Sequence, residues 1–148
     1  MKKTVFVLLI ITLSVLSFST CVAESLEETR DQAKQGNTVA QFNLGAMYHT
    51  GQGVALDYAK AVNWYRKSAE QGHSAAQYNL GFMYGTGQGV MLDGEIAYMW
   101  FALSAQQGDE KVRMALDIIE KSLPHEQIDN AQKRAAEWKA KKKNSVQN

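Results

Sequence analysis

The chain has 148 residues, the length of one ordinary domain, with 45% hydrophobic residues, 21% charged residues and a formal charge of +1. That balance is globular, and its lack of a strong positive field argues against a basic nucleic-acid binder. One cysteine excludes an internal disulfide framework and a cysteine zinc cluster, while eleven glycines against one proline point to helices joined by glycine turns.

The first element is an address. Lys2 and Lys3 precede an apolar run from Val5 to Leu16, interrupted only by Thr12 and Ser14, and Cys21-Val22-Ala23 follows. A spanning helix needs about 20 apolar residues, so the run is too short to cross a membrane. Basic start, apolar run and small-residue exit are the order of a secretory signal peptide over 1–23, with cleavage after Ala23. An uncleaved anchor and lipidation at Cys21 are the alternatives, and Thr20 makes a poor lipidation motif. Cleavage leaves 125 residues, no cysteine, no membrane span, and 14 basic against 15 acidic side chains. A thiol-free domain is indifferent to an oxidising compartment. The expected location is the bacterial periplasm or beyond.

Residues 24–35 predict a lone capping helix. Ser25 with Glu28 three places on has the capping-box pattern, and the helix reaches Gln35-Gly36. Then comes a repeat. Residues 36–71 laid over 72–107 without a gap are identical at 20 of 36 positions. Each unit reads as helix, glycine loop, helix. Ala40, Leu44, Met47 and Tyr48 mark one helical face, and Gly51-Gln52-Gly53 breaks it. Asp57 and Asp93 stand where N-caps belong, and Ala61, Trp64, Tyr65, Ser68 and Ala69 give the second helix its buried face. Gly72 and Gly108 end the second helices. Gly45 is expected opposite Ala61, and Gly81 opposite Ala97, so that the paired backbones approach closely. Trp64 and Trp100 are expected core anchors, with Tyr48 and Tyr84 in the core beside them.

Residues 108–140 predict a degenerate, more polar closing unit. Val112 and Leu116 keep the apolar positions, and the glycine loop is gone. Pro124 suits the first turn of a last helix, whose stripe is Ile128, Ala131, Ala135 and Trp138. Residues 141–148, with Lys141-Lys142-Lys143, are expected to be a flexible, solvated basic tail.

The residues at this spacing resemble the SEL-like repeat (SLR) family, relatives of the tetratricopeptide repeats. The run Gly36-Asn-Thr-Val-Ala-Gln-Phe-Asn-Leu-Gly, then Tyr48, Gly51-x-Gly53-Val54, Asp57 and Ala61-x-x-Trp64-Tyr65 carries the resemblance, and most of it recurs 36 residues later. The resemblance implies an all-α, right-handed α-solenoid of antiparallel helix pairs, here about three units. It also implies a scaffold for protein complexes, often exported and taking part in envelope or host interactions. Some exported relatives carry a cysteine pair in each repeat, with penicillin binding reported for them; this chain lacks those cysteines.

Catalytic chemistry is not expected. No Ser-x-x-Lys occurs, and His125-Glu126-x-x-Asp129 is not a His-Glu-x-x-His zinc motif. Gly85-x-Gly87-x-Gly89 follows a helix, where a phosphate loop follows a strand, and no Walker lysine accompanies it. The three histidines sit in three different units. The reading is therefore no enzyme, no cofactor and no metal.

In a repeat superhelix the first helices line the concave face. With Leu44 and Gly45 turned inward, the groove side falls to Val39, Phe42, Asn43, Ala46 and His49, and to Ala75, Tyr78, Asn79, Phe82 and Gly85. The asparagine amides suit an extended peptide's backbone, and Phe42, Tyr78 and Phe82 suit its side chains. The alternative places Asn43 and Asn79 on a neighbouring helix and the aromatics in the inter-repeat core. The expected function is an exported, non-catalytic adaptor for a protein or peptide partner. A weak β-lactam- or cell-wall-fragment-binding or hydrolysing protein is the alternative.

Overall fold

The computed structural model describes residues 25–105 and 109–147. The signal-peptide reading over 1–23 and the helix stop at Gly108 lie outside the described residues. Seven helices and no strand occur among those described: α1 over 25–34, α2 Thr38–Thr50, α3 Tyr58–Glu70, α4 Ser74–Thr86, α5 Gly94–Ser104, α6 Glu110–Glu120 and α7 His125–Gln147. The chain is an all-helical solenoid. Helices α2 and α3 form one hairpin and α4 and α5 the next; α3 packs on α4, and α5 carries both α6 and α7. No described helix is long and apolar enough to cross a membrane.

The two hairpins are built by the same local devices. Helices α2 and α4 each end in a left-handed glycine, Gly51 and Gly87, whose N–H returns to Met47 O and Met83 O. The carboxylates of Asp57 and Asp93 then accept the amide N–H of Lys60 and Ile96, both at 2.9 Å, starting α3 and α5. Asn37 caps α2 by accepting from Ala40 N at 2.9 Å, and His73 caps α4 through Nδ1, accepting from Ala76 N at 3.3 Å. Ser25 is already helical, so it is not the expected cap.

Side-chain latches join one unit to the next. The buried amide of Gln41 donates to Ala33 O at 3.1 Å, and the equivalent Gln77 donates to Ala69 O at 3.2 Å. Each fastens a first helix to the open carbonyl end of the helix before it. Within the hairpins, Ser68 Oγ donates to Thr38 O and Ser104 Oγ to Ser74 O.

The packing bears out the close approach of Gly81 to Ala97 and adds a feature to the small-on-small expectation. An aromatic ring lies over each mid-helix glycine. A Cβ on Gly45 would stand 2.7 Å from Tyr65 Cδ1, and one on Gly81 would stand 2.9 Å from Phe101 Cδ1 and 3.1 Å from Ala97 O. Tyr65 and Phe101 are therefore the deep anchors, and both are buried. Trp100 is buried, meeting Trp138 edge-on at 6.2 Å, but Trp64 is only half-buried, with the Lys67 ammonium 4.4 Å over its ring. Tyr84 is buried and Tyr48 half-buried.

The closing unit also departs from expectation. Ile128, Ala131 and Ala135 are buried, and Trp138 is half-buried, as the stripe predicts. The residues expected to fray, 141–147, instead continue α7 as helix to Gln147. Lysine is a good helix former. Lys142 finds a partner as well: its ammonium donates to Gln71 O at the α3–α4 turn and stands 5.1 Å over the Trp138 ring.

Candidate functional site: a two-lobed groove between α4 and α6

Helices α4 and α6 occupy equivalent places one unit apart, and a groove opens between them. Its apolar lobe has a volume of about 480 Å³. Tyr78, Phe82, Gly85 and Thr86 of α4 form one wall, Phe101 of α5 contributes between them, and Lys111, Met114, Ala115, Ile118, Ile119 and Ser122 form the other. The α6 residues recur at three- and four-residue steps, so they share one helical face. Large apolar side chains stay open to solvent here: Phe82 is 39% exposed, Met114 59% and Ile118 67%. Beyond Tyr78 and Lys111, which line both parts, a polar lobe of about 610 Å³ runs toward Phe42. His73, Ser74, Asn79, Ser104 and Asp109 supply its polar groups.

The residues expected on the groove divide between these lobes and the packing beside them. Phe42 lines the polar lobe, stacks on His73 with centroids 4.7 Å apart and meets Tyr65 at 5.8 Å. Tyr78 lines both lobes and tilts against Phe101 at 5.5 Å. Phe82 stands in the apolar lobe and Asn79 in the polar one. Asn43, exposed, and Ala46 and His49, half-buried, lie outside both. His49 is taken up by packing: its ring meets Tyr58 edge-on at 5.6 Å, and Nδ1 is 3.4 Å from the Tyr65 hydroxyl. Burial pushes that hydroxyl up to about 12, with a hydrogen bond to Asn79 acting the other way. Asn79 thus belongs to both readings made from the sequence: it contacts a neighbouring helix, and it borders the groove.

The α6 wall was not foreseen. Val112 and Leu116 hold the repeat's apolar positions, and Val112 is buried while Leu116 is half-buried. Met114 and Ile118, four residues apart on another face, carried the missed signal.

Burial holds the His73 ring below its usual 6.5. The folded chain therefore takes up this proton less readily than the unfolded chain. The stability contributed here is whole above about pH 6.5 and is lost as pH falls through the depressed folded value. Protonation of Nδ1 also removes the acceptor that caps α4. His73→Asn keeps a cap of the kind Asn37 makes and carries no titrating proton. Its urea midpoint should fall less than that of the parent between about pH 7.5 and about pH 5.5. Parallel losses in the two proteins would show that His73 does not set this dependence.

The comparisons with known proteins agree with this architecture. The Sel1 repeat family model matches residues 38–73 and 74–109. Residues 38–109 are two Sel1 repeats. Their period is the 36 residues read from the sequence, counted from two positions later. The chain is similar to a protective antigen present in uropathogenic Escherichia coli strains and displaying an SLR fold. That likeness has 37% identity over 76% of this chain and 24% of the antigen, with a TM-score of 0.73. It is also similar to a Sel1 repeat protein from Oxalobacter formigenes, with 33% identity over 63% of this chain and 38% of that protein, and a TM-score of 0.60. The chain thus spans only about a quarter to two-fifths of the length of these solved relatives. Among curated proteins, none matches. Sel1 repeats usually mediate protein–protein interaction, and their relatives are typically non-catalytic scaffolds. Among the described residues, no group of three or more His, Cys, Asp or Glu side chains is placed to hold a metal.

Proposed function

We propose that this Sel1-repeat chain is an exported, non-catalytic adaptor that holds a segment of a partner protein in the groove between α4 and α6. One observation carries the reading: Phe82, Met114 and Ile118 leave an apolar cleft open to solvent on the face where successive first helices stand side by side. Exposed apolar clefts of this kind are what partners cover. Export rests on the signal-peptide pattern of residues 1–23, and the likeness to a protective antigen is in keeping with it.

The test combines location with capture. Cell fractionation should recover the chain outside the cytoplasm, with a mass that begins at Glu24. Crosslinking in intact cells should then yield partner adducts. The double variant Phe82→Ser/Ile118→Ser alters two exposed side chains, so its melting temperature should stay near that of the parent. Its adducts should fall about tenfold or more. Undiminished adducts from a folded double variant would place the binding surface elsewhere. A cytoplasmic chain that retains residues 1–23 would end the export reading.

A further inference from the structure

Of the two side chains that line both lobes, Tyr78 and Lys111, only the second is a cation. Lys111 is the single charged residue of the apolar lobe, and it shares the polar lobe with Asp109. Asp109 is already engaged, its carboxylate accepting Lys111 N at 2.9 Å as the cap of α6. The His73 ring, also in the polar lobe, uses Nδ1 as the cap of α4. The Lys111 ammonium forms no ion pair among the described residues. Lys34, Lys60 and Lys121 find carboxylates, and Lys67 and Lys142 find rings; Lys133, Lys139, Lys141 and Lys143 find neither among the described residues, but none of them lines either lobe. Lys111 is thus an unmatched cation at the junction of an apolar cleft and a polar one. Its aliphatic stem can lie along the apolar wall while the ammonium meets a ligand.

We propose that the groove takes a peptide segment with an acidic side chain in mid-sequence, seated on Lys111. Apolar side chains to one side of it fill the space between Phe82, Met114 and Ile118. This rests on the groove reading above and names the chemistry of the partner. Position selects a side-chain carboxylate over a chain-terminal one. A segment that fills both lobes runs past Lys111, whereas a terminal carboxylate would stop there and leave one lobe to water. The wall from Lys111 to Ser122 is about 16 Å long at helical rise, room for about five extended residues. A charge-assisted contact at the edge of an apolar cleft is stronger than the same contact in bulk water.

The test uses three pools of short fluorescent peptides, acetylated and amidated so that no terminal charge remains. Each pool has randomised Leu, Phe, Met and Ile on one side of a central residue, which is Glu, Gln or Lys. Anisotropy titrations use the chain from Glu24 onward. The Glu pool should bind about five- to tenfold tighter than the Gln pool, and the margin should shrink as salt rises. Lys111→Gln should equalise the two pools, and Lys111→Glu should turn the preference to the Lys pool. A reversal of that kind does not arise from loss of fold. Equal binding of the Glu and Gln pools by the parent, or a Glu preference that survives in Lys111→Gln, overturns the acidic partner and leaves the groove standing. Absence of binding by all pools, or binding undiminished in Phe82→Ser/Ile118→Ser, overturns the groove and this inference with it. A concentration-dependent dimer that dissolves in Ile118→Ser assigns the groove to a second copy of the chain and likewise overturns it.

Discussion

Gly89→Ala should destabilise the chain by about 3–4 kcal/mol, whereas Gly53→Ala, at the same place in the preceding unit, should cost about 1 kcal/mol. The two glycines share a backbone conformation, with φ of +69° at Gly89 and +71° at Gly53. The penalty for placing an L side chain in the left-handed region is therefore common to both. Their surroundings differ. A Cβ on Gly53 would meet only Met47 Cε, at 3.2 Å, and that methyl can turn aside. A Cβ on Gly89 would stand 2.4 Å from Tyr58 C, 2.5 Å from Tyr58 O and 2.7 Å from Ala59 N. Those are backbone atoms at the start of α3, and they move only if the second loop lifts off the first unit. Paired urea titrations measure the difference. Equal midpoint shifts would mean that the loop does not rest on α3 and that the units are joined elsewhere.

Gly89 also shows why such a glycine recurs in each loop. In Gly53 the residue serves the turn; in Gly89 it serves the turn and the stacking of one unit on the last. A solenoid is stabilised by contacts between neighbouring units as well as within them. Here those contacts are the Gly89–Tyr58 approach, the Gln77 latch to Ala69 O and the packing of α3 on α4.

Features set within a few residues were legible in the sequence. The left-handed stops at Gly51 and Gly87 and the caps at Asp57 and Asp93 depend on local backbone needs, and the 36-residue period marked them twice. Features set by the third dimension were less so. The glycines at 45 and 81 announced a close approach of backbones but not the rings of Tyr65 and Phe101, and a flat ring needs a missing Cβ as much as a facing helix does. Trp64 and Trp100 occupy equivalent positions, yet α7 brings Trp138 against the second alone. The Lys141–Lys143 run read as solvent-bound, because its partner at Gln71 lies 71 residues before Lys142. The α6 wall escaped for a related reason. Comparison of units finds what repeats, while Met114 and Ile118 belong to the closing unit, where the pattern has drifted. On the groove itself, period and helical geometry led to Phe42, Tyr78, Asn79 and Phe82. They could not tell that Asn43 stays outside both lobes while its counterpart Asn79, half-buried, lines the polar one.

Two glycines four residues apart in α4 should respond to substitution with opposite signs. Gly81→Leu should destabilise by about 3 kcal/mol or more. A Cβ alone would press on the Phe101 ring at 2.9 Å and on Ala97 O at 3.1 Å. Phe101 is 5% exposed, so its ring could yield only by leaving the core for the lobe it borders, and Ala97 O belongs to the backbone of α5. The remaining atoms of leucine must then force α4 and α5 apart, breaking a hairpin whose first helix carries one groove wall. Gly85→Ala should instead stabilise by about 0.5–1 kcal/mol. Gly85 is exposed, and a Cβ there would meet only Ala97 Cβ, at an ordinary 3.6 Å. The gain is the helix preference of alanine over glycine, unopposed by packing. Urea titrations of the two variants decide it. A tolerated Gly81→Leu would mean that the ring of Phe101 can leave its place, and a costly Gly85→Ala would mean that α4 and α5 lie closer at that end than the structure has them. If both hold, the contrast locates the close contact of the hairpin at Gly81 and leaves Gly85 as open floor beneath the apolar lobe.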